Sequence, residues 1–269
     1  VNTDQNNNFY WHYVNGEWAV VSSGTTSLTD KQGLTYTVNY TSDGTKVTAS
    51  AQITGYNKPE GSTATKLVIP KTLPFIGADG NEAQATVISI SSGLRGESNQ
   101  HIKNGIKTLT IEADLTQMAT TFVYWDELET VNVVGNVKKL SNCFGGGNSL
   151  KKVYFGNQDN IVLGSAVFGN SPSLDVIDLS EVKNVEMISE PGYSNRITNF
   201  YGTTDITMVY VANESVYQTI NEVTFDSTIA SENGKKVTTS GFDNNHNIVA
   251  VTNGGTFVDK PTSNEALAE

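Results

Sequence analysis

A chain of 269 residues that is 37% hydrophobic can bury a core, but with only 17% charged side chains and abundant Asn, Thr, Ser and Gly it does not read as a helical protein. A net charge of −11, with 17 basic residues that form no stripe, excludes nucleic acid as a partner. No apolar run reaches the roughly 18 residues of a membrane-spanning helix, so no membrane insertion is expected, and a single cysteine, Cys143, excludes an intrachain disulfide.

Taken from the start, Val1 followed by an Asn-rich stretch to Asn8 reads as a processed or trimmed beginning. Residues 9–21 predict a β-hairpin turning at Asn15-Gly16, the favoured type I′ pair. With the polar residues after it, residues 1–33 form an N-terminal aromatic hairpin and linker. Leu34, Tyr36, Val38 and Tyr40, then Val47, Ala49, Ala51 and Ile53, alternate around Asp43-Gly44. That pattern predicts a second hairpin, sealing the first coil of a repeat array that needs a cap.

From residue 106 a six-residue phrase recurs, apolar-x-x-apolar-x-apolar. It runs Ile106/Leu109/Ile111, Leu128/Val131/Val133, Leu150/Val153/Phe155, Leu174/Ile177/Leu179 and Ile206/Val209/Val211, at intervals of 22, 22, 24 and 32 residues. Phe122, Phe144, Phe168 and Phe200 each precede the next phrase by the same distance. Residues two apart share a face of a strand, and a period of about 22 lies in the leucine-rich-repeat range. Each period therefore supplies one short strand, and like strands can stack in parallel. A lone coil buries four or five large side chains at about 1.5–3 kcal/mol each. Ordering costs about 1–2 kcal/mol per residue, so stability must come from neighbouring coils.

Leu115-x-x-Met118, Val137-x-x-Leu140 and Ile161-x-Leu163 predict an opposite wall, and Gly145–Ser149 and Gly169–Ser173 predict the turns. The 32-residue interval holds an insertion at residues 190–195. Residues 226–269 predict a closing hairpin, Lys236-Val237 against Val251-Thr252 about Asp243–Asn247, and a disordered tail from Lys260.

Leu67-Val68-Ile69-Pro70, Val87-Ile88-Ser89-Ile90, the run from Ala166 to Leu174, and the lead-in from Tyr36 to Tyr56 resemble the BspA-type leucine-rich repeat over about residues 34–225. Only one Ile-Pro pair is present, and Asn199 stands where a small residue is expected before Phe200. The resemblance implies extracellular or cell-wall proteins of bacteria and some protists, associated with adhesion to host or matrix proteins, and it carries no catalytic residues. The fold expected is a mostly β, right-handed leucine-rich-repeat solenoid with hairpin caps at both ends. The function expected is non-catalytic adhesion at the cell surface, without cofactors; the rivals are a polysaccharide-degrading β-solenoid and a structural spacer.

Catalytic and metal signatures are sparse. Cys143 lies beside Phe144 at an inward position and has no His tied to it, so it reads as core rather than as a nucleophile. His12, His101 and His246 have no zinc spacing. Asp243-x-Asn245-x-Asn247 begins like a calcium loop, but Ile248 and Gly254 stand where Gly and Glu are needed. Gly145–Gly147 lacks the Lys and Ser/Thr of a phosphate loop. The Asn15-Gly16 hairpin is similar to cell-wall choline- or glucan-binding repeats, in one copy only, and a plain aromatic cap is preferred. Asp175 and Asp178, with Glu129 one coil away, are the carboxylates for glycoside hydrolysis, which needs two about 5–9.5 Å apart across a groove; solvated strand-face acids are the preferred reading.

The strands' outward positions form two columns. Thr110, Asn132, Tyr154, Asp178 and Tyr210 make the first; Thr108, Thr130, Lys152, Val176 and Met208 make the second. Tyrosines and an exposed Val176/Met208 pair suit an interface better than a solvated face. This face is the candidate site for a protein or glycan partner.

Overall fold

A computed structural model describes residues 7–14, 17–43, 46–77, 79–188, 190, 196–197, 208–213, 215–216, 218–220, 236–237 and 247–250. The protein is mostly β, with curled sheets. In chain order the strands are β1 (Asn7–Val14), β2 (Glu17–Thr29), β3 (Leu34–Ser42), β4 (Val47–Tyr56), β5 (Lys66–Ile69), β6 (Thr72–Ile76), β7 (Glu82–Ile90), β8 (Thr108–Ile111), β9 (Met118–Ala119) and β10 (Thr130–Val133). They continue with β11 (Lys139–Ser141), β12 (Lys152–Phe155), β13 (Ile161–Leu163), β14 (Val176–Leu179), β15 (Val185–Met187), β16 (Arg196–Ile197), β17 (Met208–Val211), β18 (Lys236–Val237) and β19 (Asn247–Ala250).

The N-terminal strands make a six-stranded sheet in the order β1-β2-β3-β4-β7-β6. Both predicted hairpins occur, β1 with β2 and β3 with β4, although the residues at the two turn tips lie outside the described set. Alternation buries Leu34, Tyr36, Val38, Ala51 and Ile53 and leaves Thr and Ser facing out. β2 also pairs with β3 from Ser22 to Thr29, so the sequence boundary at residues 33/34 falls between paired strands of one sheet.

The five repeated phrases supply β8, β10, β12, β14 and β17 of a seven-stranded parallel sheet, β19-β17-β14-β12-β10-β8-β5, in the register the phrase spacing predicts. Leu109, Val131, Val153, Ile177 and Val209 stack in one inward column, and Ile111, Val133, Phe155, Leu179 and Val211 in the next; all are buried. A second parallel sheet, β15-β13-β11-β9, supplies the opposite wall, with Met118 beside Leu140 and Leu140 beside Leu163. The phenylalanines fill the corner: Phe122, Phe144 and Phe168 are fully buried, and the first two rings stack with centroids 6.4 Å apart. Phe200 lies outside the described residues.

The corners repeat as closely as the strands do. Thr120, Asn142 and Ala166 have φ of 54, 48 and 53°, and Tyr124, Gly146 and Asn170 have 59, 74 and 53°. Left-handed residues thus recur at the same two places in three successive turns, a strained choice for side chains other than Gly and Asn. Gly146 is required twice over, because a Cβ there would stand 2.4 Å from the Tyr124 ring.

Of the predicted C-terminal hairpin, Val251-Thr252 and the turn residues 243–246 lie outside the described residues. β18 pairs in parallel with β16, and β19 pairs in parallel with β17 at the edge of the seven-stranded sheet. β19 thus extends the seven-stranded ladder and β18 makes a separate two-stranded sheet with β16, so that pairing joins elements on both sides of residue 225. The tail from Lys260 lies outside the described residues.

Candidate functional site

Inward burial of Val153 and Phe155 turns Lys152 and Tyr154 to the opposite face of β12, and the same alternation acts on β8, β10 and β14. Register then sets Thr110, Asn132, Tyr154, Asp178 and Tyr210 side by side, with Thr108, Thr130, Lys152, Val176 and Met208 alongside. Six of these ten residues line one cleft of about 470 Å³: Thr110, Thr130, Asn132, Lys152, Tyr154 and Asp178. The rest of its lining is Val133 and Phe155, at the strands' C-terminal ends, and Val134, Gly156 and Glu181 in the turns that follow.

The face is not the uniformly solvated ladder that alternation alone suggests. Thr110, Asn132 and Tyr154 are half-buried, but Asp178 is 2% and Tyr210 7% exposed. Lys152 and Val176 are buried too, so Val176 is no exposed apolar contact; the Met208 side chain lies outside the described residues. Period-2 alternation assigns a side of the sheet and says nothing of what lies over it. The cleft therefore spans the strands β8 to β14 and does not reach Tyr210.

Inside the cleft Asn132 Nδ2 donates to Thr110 Oγ1 at 3.4 Å, and Asp178 accepts from the Ser180 backbone N–H at 3.0 Å. Burial, then the Asp178 carboxylate and Tyr210, push the Tyr154 hydroxyl up to about 12. Tyr154 is thus a neutral donor with a partly open ring at any physiological pH.

The carboxylates weighed for hydrolysis have different surroundings. Glu129 sits between Lys107 (2.9 Å) and Lys151 (3.8 Å), a charge ladder linking three successive repeats. Hydrogen bonding to Lys107 above all holds its carboxyl below the ordinary range. Asp175, half-buried, continues that column, whereas Asp178 lines the cleft, in register between Tyr154 and Tyr210. A glycosidase acid must stay protonated near neutrality, and every carboxyl with a clear shift among the described residues moves the other way.

Elsewhere, Cys143 is fully buried, with its thiol 3.2 Å from both the Met118 and the Ser141 carbonyl oxygens, to either of which its one proton can be donated. His101 bonds Asp126 at 2.7 Å and stacks on Tyr124. The side chains of His12 and His246 and the Asp243–Asn245 turn lie outside the described residues, and among those described no cluster of metal-ligating groups occurs. Sequence reasoning missed Glu181 and Val134, which the turns bring to the cleft; Val134 is 56% exposed. It also missed Glu190, from the insertion, which accepts from Lys139 Nζ at 2.7 Å, Ser165 N at 2.8 Å and the Ser141 hydroxyl. Its burial opposes ionisation, but these donors hold the carboxyl below its ordinary range. No periodic signal points to a residue outside the repeats.

Comparison with protein-family models, with curated proteins and with solved structures gives no match to this chain.

Proposed function

We propose that the chain is a leucine-rich-repeat solenoid of BspA-like type, carried at the cell surface or secreted, and that it mediates adhesion without catalysis by holding a protein or glycan partner on the outward face of its parallel sheet. The observation that carries this reading is the cleft itself. Four successive repeat strands contribute side chains to one concavity of about 470 Å³ with a half-buried tyrosine among its walls. Small-ligand sites are clefts of about 300–1,000 Å³ with a few convergent polar groups. The two parallel sheets, fed alternately along the chain with strands in register, support the solenoid part of the reading.

Glu129 argues against the rival enzyme, since two lysines hold its carboxylate and favour its ionised form. An array of matrix proteins, mucin and glycans tests the proposal. At least one partner is expected to bind the intact chain, and Tyr154→Ala should weaken it at least tenfold while the protein stays folded. Binding unchanged by Tyr154→Ala removes the cleft from the account. An array without a single partner leaves the spacer, and release of reducing sugar from a polysaccharide would establish the enzyme.

A further inference from the structure

The middle of the N-terminal sheet turns an unusual set of side chains away from the core. Pairing places Thr25, Asn39, Ser50, Thr86 and Thr72 side by side across β2, β3, β4, β7 and β6. Ser23, Thr41 and Thr48 form the row on one side of these, and Ser27, Thr37 and Gln52 the row on the other. Their strand neighbours Val38, Tyr40, Ala51 and Val87 are buried, so alternation sends the polar side chains outward. None of them is charged, in a chain that is 17% charged and carries a net charge of −11. A concavity of about 750 Å³ takes in Thr25 to Thr86 of the first row and Ser23 to Thr48 of the second, and none of the described residues lining it is charged. Part of the surface is ordered in advance: Thr25 Oγ1 donates to the Asn39 side-chain oxygen at 2.7 Å, and the Ser27 and Thr37 hydroxyls lie 3.3 Å apart.

We infer that this concavity is a second binding surface, on other strands than the cleft of the parallel sheet, and that it takes an uncharged polysaccharide, a chain of neutral hexoses lying along the row. A charged partner would lose water there with no counter-ion to meet it. An apolar partner would strand the hydroxyls it covers. A neutral sugar brings hydroxyls that both donate and accept, which is what Ser, Thr and Asn side chains offer in return. Its C–H face can rest on Ile88, which lines the concavity and is 52% exposed. From Thr25 to Thr72 the row crosses four strand spacings of about 4.8 Å, about 19 Å in all, and so presents like groups to several rings in succession. A second copy of the same face fits less well, because two concave surfaces meet only at their rims.

The full chain is titrated calorimetrically with cellohexaose, laminarihexaose and mannohexaose, with the corresponding disaccharides, and with hexagalacturonate as the charged control. At least one neutral hexasaccharide is expected to bind about tenfold tighter than its disaccharide, with an affinity that holds as salt is raised. Thr86→Val and Asn39→Ala each take hydrogen-bonding groups from the row and should weaken that binding about fivefold, and the double variant by the product of the two, with the thermal midpoint unchanged. Thr86→Ser, which keeps the hydroxyl, should bind as the wild type does. Failure of all the neutral hexasaccharides overturns the inference, as does tighter binding of hexagalacturonate or full binding by the double variant. Binding that Tyr154→Ala removes and the double variant keeps puts the sugar in the cleft, so that the inference falls and the cleft reading stands. A dimer in sedimentation velocity that the double variant abolishes assigns the face to a second copy and overturns the inference too.

Discussion

Cys143 occupies the place held by Thr121 one repeat earlier and by Val167 one repeat later. Its neighbours decide its chemistry. Full burial pushes the thiol from its ordinary value of 9.0 to about 11, outweighing hydrogen bonds from Thr121 and nearby backbone that act the other way. The folded chain therefore keeps a proton between pH 9 and 11 that the unfolded chain has released, and stability must fall as pH rises through that window. The loss is up to about 3 kcal/mol, at 1.36 kcal/mol per pH unit. Other groups titrate there, including the raised Tyr36, Tyr56 and Tyr210, so the difference between wild type and Cys143→Val isolates the thiol. Urea unfolding at pH 8, 9, 10 and 11 under reducing conditions should show the two curves diverging with pH. Parallel curves would mean the thiol reaches water in the folded state.

At the scale of single elements, the outer edge of β5 shows how a parallel ladder is stopped. Gln32 lies beside it and acts as a one-residue strand: its side-chain oxygen accepts from Val68 N–H, and its side-chain nitrogen donates to Val68 C=O, both at 3.2 Å. Asp30 fixes this amide by bonding its nitrogen and also accepts the backbone N–H groups of Gln32, Gly33 and Leu34. Unpaired edges are templates for association. Gln32→Ala should cost about 1–2 kcal/mol, the net worth of two hydrogen bonds, and should increase self-association in sedimentation velocity. An unchanged thermal midpoint with unchanged sedimentation would show that Val68 needs no partner. This device was not legible in sequence, since nothing marks one glutamine among many polar residues. The strands β8, β10, β12 and β14 were legible, because alternation within four residues and a near-constant spacing fix both face and register. The partners of β16 and β17 were not, because Lys236 and Asn247 return to them in parallel from about forty residues away, and the composition there suits a local hairpin equally well. The cleft was half legible: its six ladder residues follow from the alternation, whereas Glu181 and Val134 stand in turns that carry no period.

Across the whole molecule, successive repeats share more than inward side chains. Lys107, Glu129 and Lys151 form a charge ladder, Asp114 accepts the Asn136 N–H one repeat on, and Asp126 accepts both the backbone and side-chain N–H groups of Asn148. Each of these links spans one period. If the coils are interchangeable units, as the solenoid reading requires, one should be removable. Excising residues 130–151 joins Glu129 to Lys152 and sets Leu109 beside Val153, Ile111 beside Phe155, and Met118 beside Leu163, apolar against apolar throughout. The coil beginning at Lys152 is 24 residues long and already stacks on one of 22, so the small mismatch is tolerated. The shortened chain should fold, with a lower thermal midpoint and an unchanged type of far-ultraviolet spectrum. Removing residues 130–140 alone takes half a coil, breaks the register of both walls, and should leave the protein unfolded. Were the half-coil deletion as stable as the whole-coil deletion, the repeats would not be units of stacking, and the outward face would lose its claim to be a surface assembled one coil at a time.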